Sequence, residues 1–132
     1  MTEEVTLKGL RLGQSASISK TFTAADLADY TALTGDTGFE PGTVPGPLLG
    51  GMISDLYGTK LPGRGTNWLK QRYSFPAPAR VGEAITATVE VIRLRPDKDL
   101  VNLRTTLVGP DGAVVGRGEG LVLVTDLESA KE

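Results

Sequence analysis

The sequence predicts an α+β domain in which one apolar helix packs on a twisted antiparallel sheet. Three observations carry that expectation. From Pro47 to Tyr57 the apolar residues come in pairs, so much of a helix's circumference is greasy. Four later stretches alternate apolar and polar residues and are separated by turn residues. The helical segments precede most of those stretches instead of interleaving with them, which is α+β order and not a series of βαβ units.

The first element is "SASISKTF", Ser15 to Phe22. Ala16, Ile18 and Phe22 share one face of a period-2 strand, with Lys20 as the exception. A helix follows. Thr23 is an N-cap and Asp26 can return the capping contact, while Phe22 and Leu27 are spaced for a hydrophobic staple. Leu27, Tyr30 and Leu33 form its apolar stripe, and Gly35 ends it after Thr34.

The second helix is expected from Pro47 to Tyr57, with Pro47 at its first position and Gly58 at its end. Leu48, Leu49, Met52, Ile53, Leu56 and Tyr57 are its buried candidates. Gly50 and Gly51 inside it cost about 1 kcal/mol each relative to Ala. Close packing against a sheet or ligand is the expected reason for them.

Strands come next. "TNWLKQRYSF" sets Leu69, Gln71, Tyr73 and Phe75 against Trp68, Lys70, Arg72 and Ser74. "AITATVEVIRL", "LVNLRTTLV" and "AVVGRGEGLVLVT" continue the pattern, and "RPDKD" and "GPDG" read as hairpin turns. Gly116, Gly118 and Gly120 point to a bulge or a close approach in the last strand.

At 132 residues the chain is one domain, 39% hydrophobic and 23% charged, which is globular and not disordered composition. No apolar run is long enough for a membrane span, and the acidic "MTEEVTLKGL" lacks the apolar core of a secretory signal. The chain has no Cys and no His, so a thiolate nucleophile, a disulfide and a transition-metal site are not expected. With a net charge of −2 and mixed signs, it carries no nucleic-acid footprint. A cytoplasmic protein without metal or cofactor is the expectation.

Several residues could carry chemistry. Asp36 follows the helix-ending Gly35; it is a general-base candidate if burial raises its pKa, or a turn cap if not. Glu40 is the nearest second carboxylate and could share acid–base work, although a Glu in a Gly/Pro-rich loop is more often solvated. Asp55 beside Ser54 lines a pocket or faces water. Ser54 is more often a packing residue than a nucleophile, and no base adjoins it. Tyr30 and Tyr57 can line a pocket or fill the core. Lys60, Arg64, Lys70 and Arg72 could meet phosphate groups, although alternating charges on a strand face are more often solvated.

These residues together resemble the MaoC-like (R)-specific enoyl-CoA hydratases. The resemblance runs from "LRLGQSASISKTFTAADLADYTALTGD" through "LLGGMISDLYGTKLPGRGT" and "YSFPAPARVGEAITATVEVIRL" to "GEGLVLV". It implies a hotdog fold, with the sheet wrapped around the second helix. It also implies dimerisation by edge-to-edge joining of two sheets. For Asp36 it implies the role of the family's water-activating aspartate, for Gly46 that of the oxyanion donor, and for Ser54 that of the supporting serine. Glu40, Tyr57 and Arg64 are the substrate-contact candidates beside them.

The family pattern is broken in two places. After Asp36 the chain reads "TGFEPG" where the family has x-N-P-x-H, so its catalytic His has no counterpart. The segment from Asp36 to the second helix is also shorter, and the helix opens with Pro45-Gly46-Pro47 where the family has H-G-M. The resemblance implies an acyl-thioester hydratase or dehydratase acting without the His. The alternatives are a non-catalytic acyl-CoA-binding hotdog subunit of a heteromeric hydratase and a carboxylate-dependent hotdog thioesterase. The substrate that the resemblance implies is an acyl-CoA or acyl carrier protein thioester, and the partner it implies is a second copy or a catalytic hotdog subunit.

Overall fold

The computed structural model describes residues 5–128. A short hairpin, β1 (Thr6–Leu7) and β2 (Leu10–Arg11), comes first. Lys8 and Gly9 turn it with consecutive positive φ of 52° and 85°, the handedness a two-residue hairpin requires. Leu7 and Leu10 are buried. Only these two side chains and a Lys-Gly turn mark the hairpin, which is too short for a readable alternation.

The main elements are β3 (Ser15–Thr21), α1 (Ala24–Thr34), α2 (Gly46–Thr59), β4 (Asn67–Ser74), β5 (Ala84–Arg95), β6 (Leu100–Val108) and β7 (Val114–Leu123). The five strands form one antiparallel sheet in the order β3-β5-β6-β7-β4. The strands on either side of the two helices, β3 and β4, therefore end as opposite edges. The hairpin turns fall where expected, with Lys98 N–H bonded to the Arg95 carbonyl and Gly112 N–H to the Gly109 carbonyl.

The α1 helix has the capping box. Thr23 Oγ1 accepts from Asp26 N–H at 3.1 Å, and Asp26 Oδ2 accepts from Thr23 N–H at 2.9 Å. Gly35 closes the helix in the left-handed conformation, φ 75°. None of its residues is fully buried, and Leu33 is 87% exposed. Its apolar stripe touches the core only through Leu27.

Leu49, Met52, Ile53, Leu56 and Tyr57 bury the inner face of α2. They join Ile85, Ala87 and Val89 of β5, Val101 and Leu103 of β6, and Val122 of β7 in one core. Each large side chain contributes about 1.5–3 kcal/mol, which outweighs the glycine cost. The helix begins one residue before Pro47 and continues to Thr59, past Gly58. Close packing against the sheet, one explanation expected for Gly50 and Gly51, does not hold: among the described residues a Cβ on either would meet nothing within 4 Å.

A second correction concerns β4. Register with β7 shifts between Trp68 and Lys70, so the alternation is interrupted. Trp68 and Tyr73 both pack on the core, and Leu69 is 50% exposed. The expected close approaches in β7 are present. A Cβ at Gly120 would lie 3.0 Å from Tyr57 Oη, and one at Gly116 would lie 3.2 Å from the Phe75 ring.

Candidate active site

Among the described residues, the start of α2 presents one backbone donor without a partner. Pro45 and Pro47 have no N–H. Leu48 and Leu49 N–H both bond the Pro45 carbonyl, at 3.0 and 3.4 Å. Gly46 N–H has no intrahelical partner at this position and is left to a ligand or water. It sits at the positive end of the helix dipole, where partial negative charge is favoured.

Gly46 opens on a cavity of about 290 Å³. Val44, Leu49, Phe75 and Ala79 give it apolar walls, and Glu40 and Thr43 supply polar groups. The Phe75 ring lies against Gly46, since a Cβ there would come 3.2 Å from Cε2. The loop before the helix is pinned to the segment after β4. Val44 N–H bonds the Ala79 carbonyl at 2.8 Å, Val81 N–H bonds the Gly42 carbonyl at 2.9 Å, and Thr43 bridges to Arg80. Thr43 fixes the loop internally, its N–H and Oγ1 both donating to the Glu40 carbonyl at 3.1 and 2.5 Å.

Asp36 is half-buried beside α1, outside the lining of this cavity. Tyr30 Oη donates to its Oδ2 at 2.5 Å, and its Oδ1 accepts Gly38 N–H at 2.9 Å. The phenol bond first, then the Gly38 N–H, hold its carboxyl below the usual carboxylate range. That is the reverse of the rise a burial-tuned base would need, and it is the electrostatics of a turn cap. The same bond holds the Tyr30 phenol above its ordinary value.

Ser54 is exposed on α2, eight residues beyond Gly46. The helix rise puts it about 12 Å along the axis from that donor, out of reach of a group bound there by the same chain. Tyr57 is buried in the core, its Oη within 2.6 Å of Tyr73 Oη and 2.7 Å of Thr105 Oγ1. Arg64 lies beyond the far end of α2, exposed, 3.9 Å from Glu128. The fold thus brings Glu40 and Gly46 together and leaves Asp36, Ser54, Tyr57 and Arg64 elsewhere in the chain.

Phe75 is a cavity residue that sequence reasoning misses. Its signal was present in "YSFPAP", an aromatic residue before two prolines. Its approach to Gly46 and Gly116 depends on long-range pairing that no local pattern shows. Among the described residues, no three His, Cys, Asp or Glu side chains cluster as metal ligands would, and no helix is long and apolar enough to cross a membrane.

Three similar proteins identify this arrangement. The chain is 39% identical over 128 residues to an (R)-specific enoyl-CoA hydratase of Aeromonas caviae, covering 87% of this chain and 96% of that one. It is 38% identical over 128 residues to an (R)-specific enoyl-CoA hydratase of Rhodospirillum rubrum, covering 87% and 88%. The solved unliganded R-hydratase of Pseudomonas aeruginosa superposes with a TM-score of 0.80 at 29% identity, covering 87% and 82%. No protein-family model matches the chain. Its sequence and its antiparallel sheet around one buried helix agree: the chain belongs to the (R)-specific enoyl-CoA hydratases, the MaoC-like family on the hotdog fold.

Proposed function

We propose that the chain interconverts an enoyl thioester and an (R)-3-hydroxyacyl thioester by adding or removing water. One observation carries the reading: Gly46 N–H, the free donor of the α2 first turn, opens on an apolar cavity that a carboxylate-bearing loop borders. Water addition places negative charge on the thioester oxygen as the enolate forms. A fixed N–H at a helix N-terminus stabilises that charge, and removal of one such donor costs about 10²–10³ in kcat. The base that takes the water proton comes from the Asp36–Glu40 segment. The family resemblance points to Asp36 with Ser54 in support, whereas Glu40 borders the cavity, so the reading leaves the base open between the two carboxylates.

The thioester carrier is coenzyme A or an acyl carrier protein, and the acting unit is a homodimer in the cytoplasm. The exposed Leu69 on the sheet-edge strand β4 favours pairing there. A second reading is a non-catalytic acyl-thioester-binding subunit, favoured by the firmly capped Asp36 and by a chain with no His.

The purified chain incubated with crotonyl-CoA tests the readings together. Loss of enoyl absorbance, abolished by Asp36→Asn or a nearby carboxylate substitution, supports the hydratase. Release of free thiol makes it a hotdog thioesterase instead. Acyl-CoA binding with neither reaction makes it the binding subunit.

A further inference from the structure

We propose that Glu40 is the catalytic carboxylate of this site, acting as base and then as acid in place of the missing His. The assignment rests on the hydratase reading above and names the group that reading leaves open.

Three observations lead to it. Glu40 lines the same cavity as Gly46, and among the described residues no other carboxylate residue does. The Asp36 carboxylate is already engaged at both oxygens, by Tyr30 Oη and Gly38 N–H. A carboxylate that accepts two hydrogen bonds and is held below its usual range is a poor proton acceptor. Glu40, by contrast, has no ion pair among the described residues, and its backbone is fixed by the two Thr43 bonds. The shortened loop leaves only five residues between Glu40 and Gly46. Its anchors at Gly42 and Val44 hold that span against the segment after β4.

The step balances with one carboxylate. A water O–H bond breaks and its proton goes to the Glu40 carboxylate. The water oxygen forms a C–O bond to the β-carbon. The double-bond pair moves through the α-carbon into the thioester carbonyl, and Gly46 N–H holds the resulting enolate oxygen. The enolate then collapses and the α-carbon takes the proton back from the Glu40 carboxyl. Glu40 ends as it began, and no co-reactant is needed.

The test uses the full chain with crotonyl-CoA as substrate and butyryl-CoA as a non-reacting ligand. Glu40→Gln is expected to lower kcat by about 10²–10⁴-fold, the usual contribution of a general acid–base group. Butyryl-CoA affinity should stay within about threefold of wild type, because the amide preserves shape. Asp36→Asn should retain the larger share of kcat. Active wild type with an equally active Glu40→Gln overturns the assignment and leaves the hydratase reading standing. A folded wild type that binds butyryl-CoA without hydrating crotonyl-CoA overturns both. Glu40→Gln that loses kcat and affinity together reports substrate binding by Glu40, and it too overturns the acid–base role.

Discussion

Tyr30 Oη donates to Asp36 Oδ2 at 2.5 Å across six residues of chain, from the last turns of α1 to the residue after its glycine cap. The pair is mutually tuned: the phenol holds the carboxyl below its ordinary 3.8, and the carboxylate holds the phenol above its ordinary 10.0. Tyr30→Phe should therefore raise the Asp36 pKa toward 3.8, read from the carboxyl carbon by NMR titration. The linkage signs follow. The Asp36 contribution to stability is present above 3.8 and is lost as pH falls through its lower folded value. The Tyr30 contribution is present below 10.0 and is lost as pH rises through its higher folded value. The stability gap between wild type and Tyr30→Phe should thus be widest between those limits and close on both sides. An Asp36 pKa unchanged by the substitution would contradict the pairing.

The buried hydroxyls of Tyr57, Tyr73 and Thr105 form a second network. Tyr57→Phe removes the hydroxyl shared by the other two and leaves the fully buried Thr105 Oγ1 short of a partner. A loss of about 1–3 kcal/mol is expected in urea unfolding. Burial pushes Tyr57 and Tyr73 above 10.0, and the Asp36 bond does the same for Tyr30. All three tyrosines of the chain are thus raised. The native protein should show little phenolate absorbance at pH 10.0, whereas the urea-unfolded chain should be about half ionised there.

The glycines divide into two kinds that one set of alanine substitutions separates. At Gly120 a Cβ would meet Tyr57 Oη at 3.0 Å and Trp68 Nε1 at 3.2 Å. Gly120→Ala should destabilise by about 1–3 kcal/mol through overpacking. At Gly50 and Gly51 a Cβ meets nothing within 4 Å, and both lie within α2. Alanine there should stabilise by about 0.5–1 kcal/mol each, by helix propensity and reduced freedom of the unfolded chain. Thermal unfolding reads all three. A destabilising Gly50→Ala would mean that this face of α2 is covered in the assembled protein.

Much of the fold was legible where the signal is local. Thr23, Asp26 and Gly35 bound α1 because capping is settled within a few residues. The paired apolar positions of α2 announced its burial. The β4 register was not legible, because its shift between Trp68 and Lys70 is set by pairing with β7, and alternation alone cannot register it. At the site, the prolines flanking Gly46 already implied a lone N–H. The distribution of carboxylates was hidden for a physical reason. Asp36 and Glu40 are near neighbours in sequence, but one is captured by a phenol on the preceding helix and the other borders the cavity. Which of them borders the cavity depends on how the loop folds back on the Ala79–Val81 segment, not on either residue type.

Phe75 and Gly46 provide the last prediction. A Cβ at Gly46 would lie 3.2 Å from Phe75 Cε2, close enough that the ring must give by a few tenths of an ångström. Phe75 is 45% exposed, so it has room on its outer side, and Gly46→Ala should fold. The displaced ring would narrow or tilt the cavity wall next to the free N–H. Butyryl-CoA affinity should fall about 10-fold, some 1.4 kcal/mol, with a smaller change in unfolding temperature. In a Phe75→Ala background the same glycine substitution meets open space and should change affinity by much less. The two changes should therefore couple by about 0.5–1.5 kcal/mol, as neighbours that share a contact do. Strict additivity in the double-mutant cycle would show that the ring does not shape the ligand's path to Gly46.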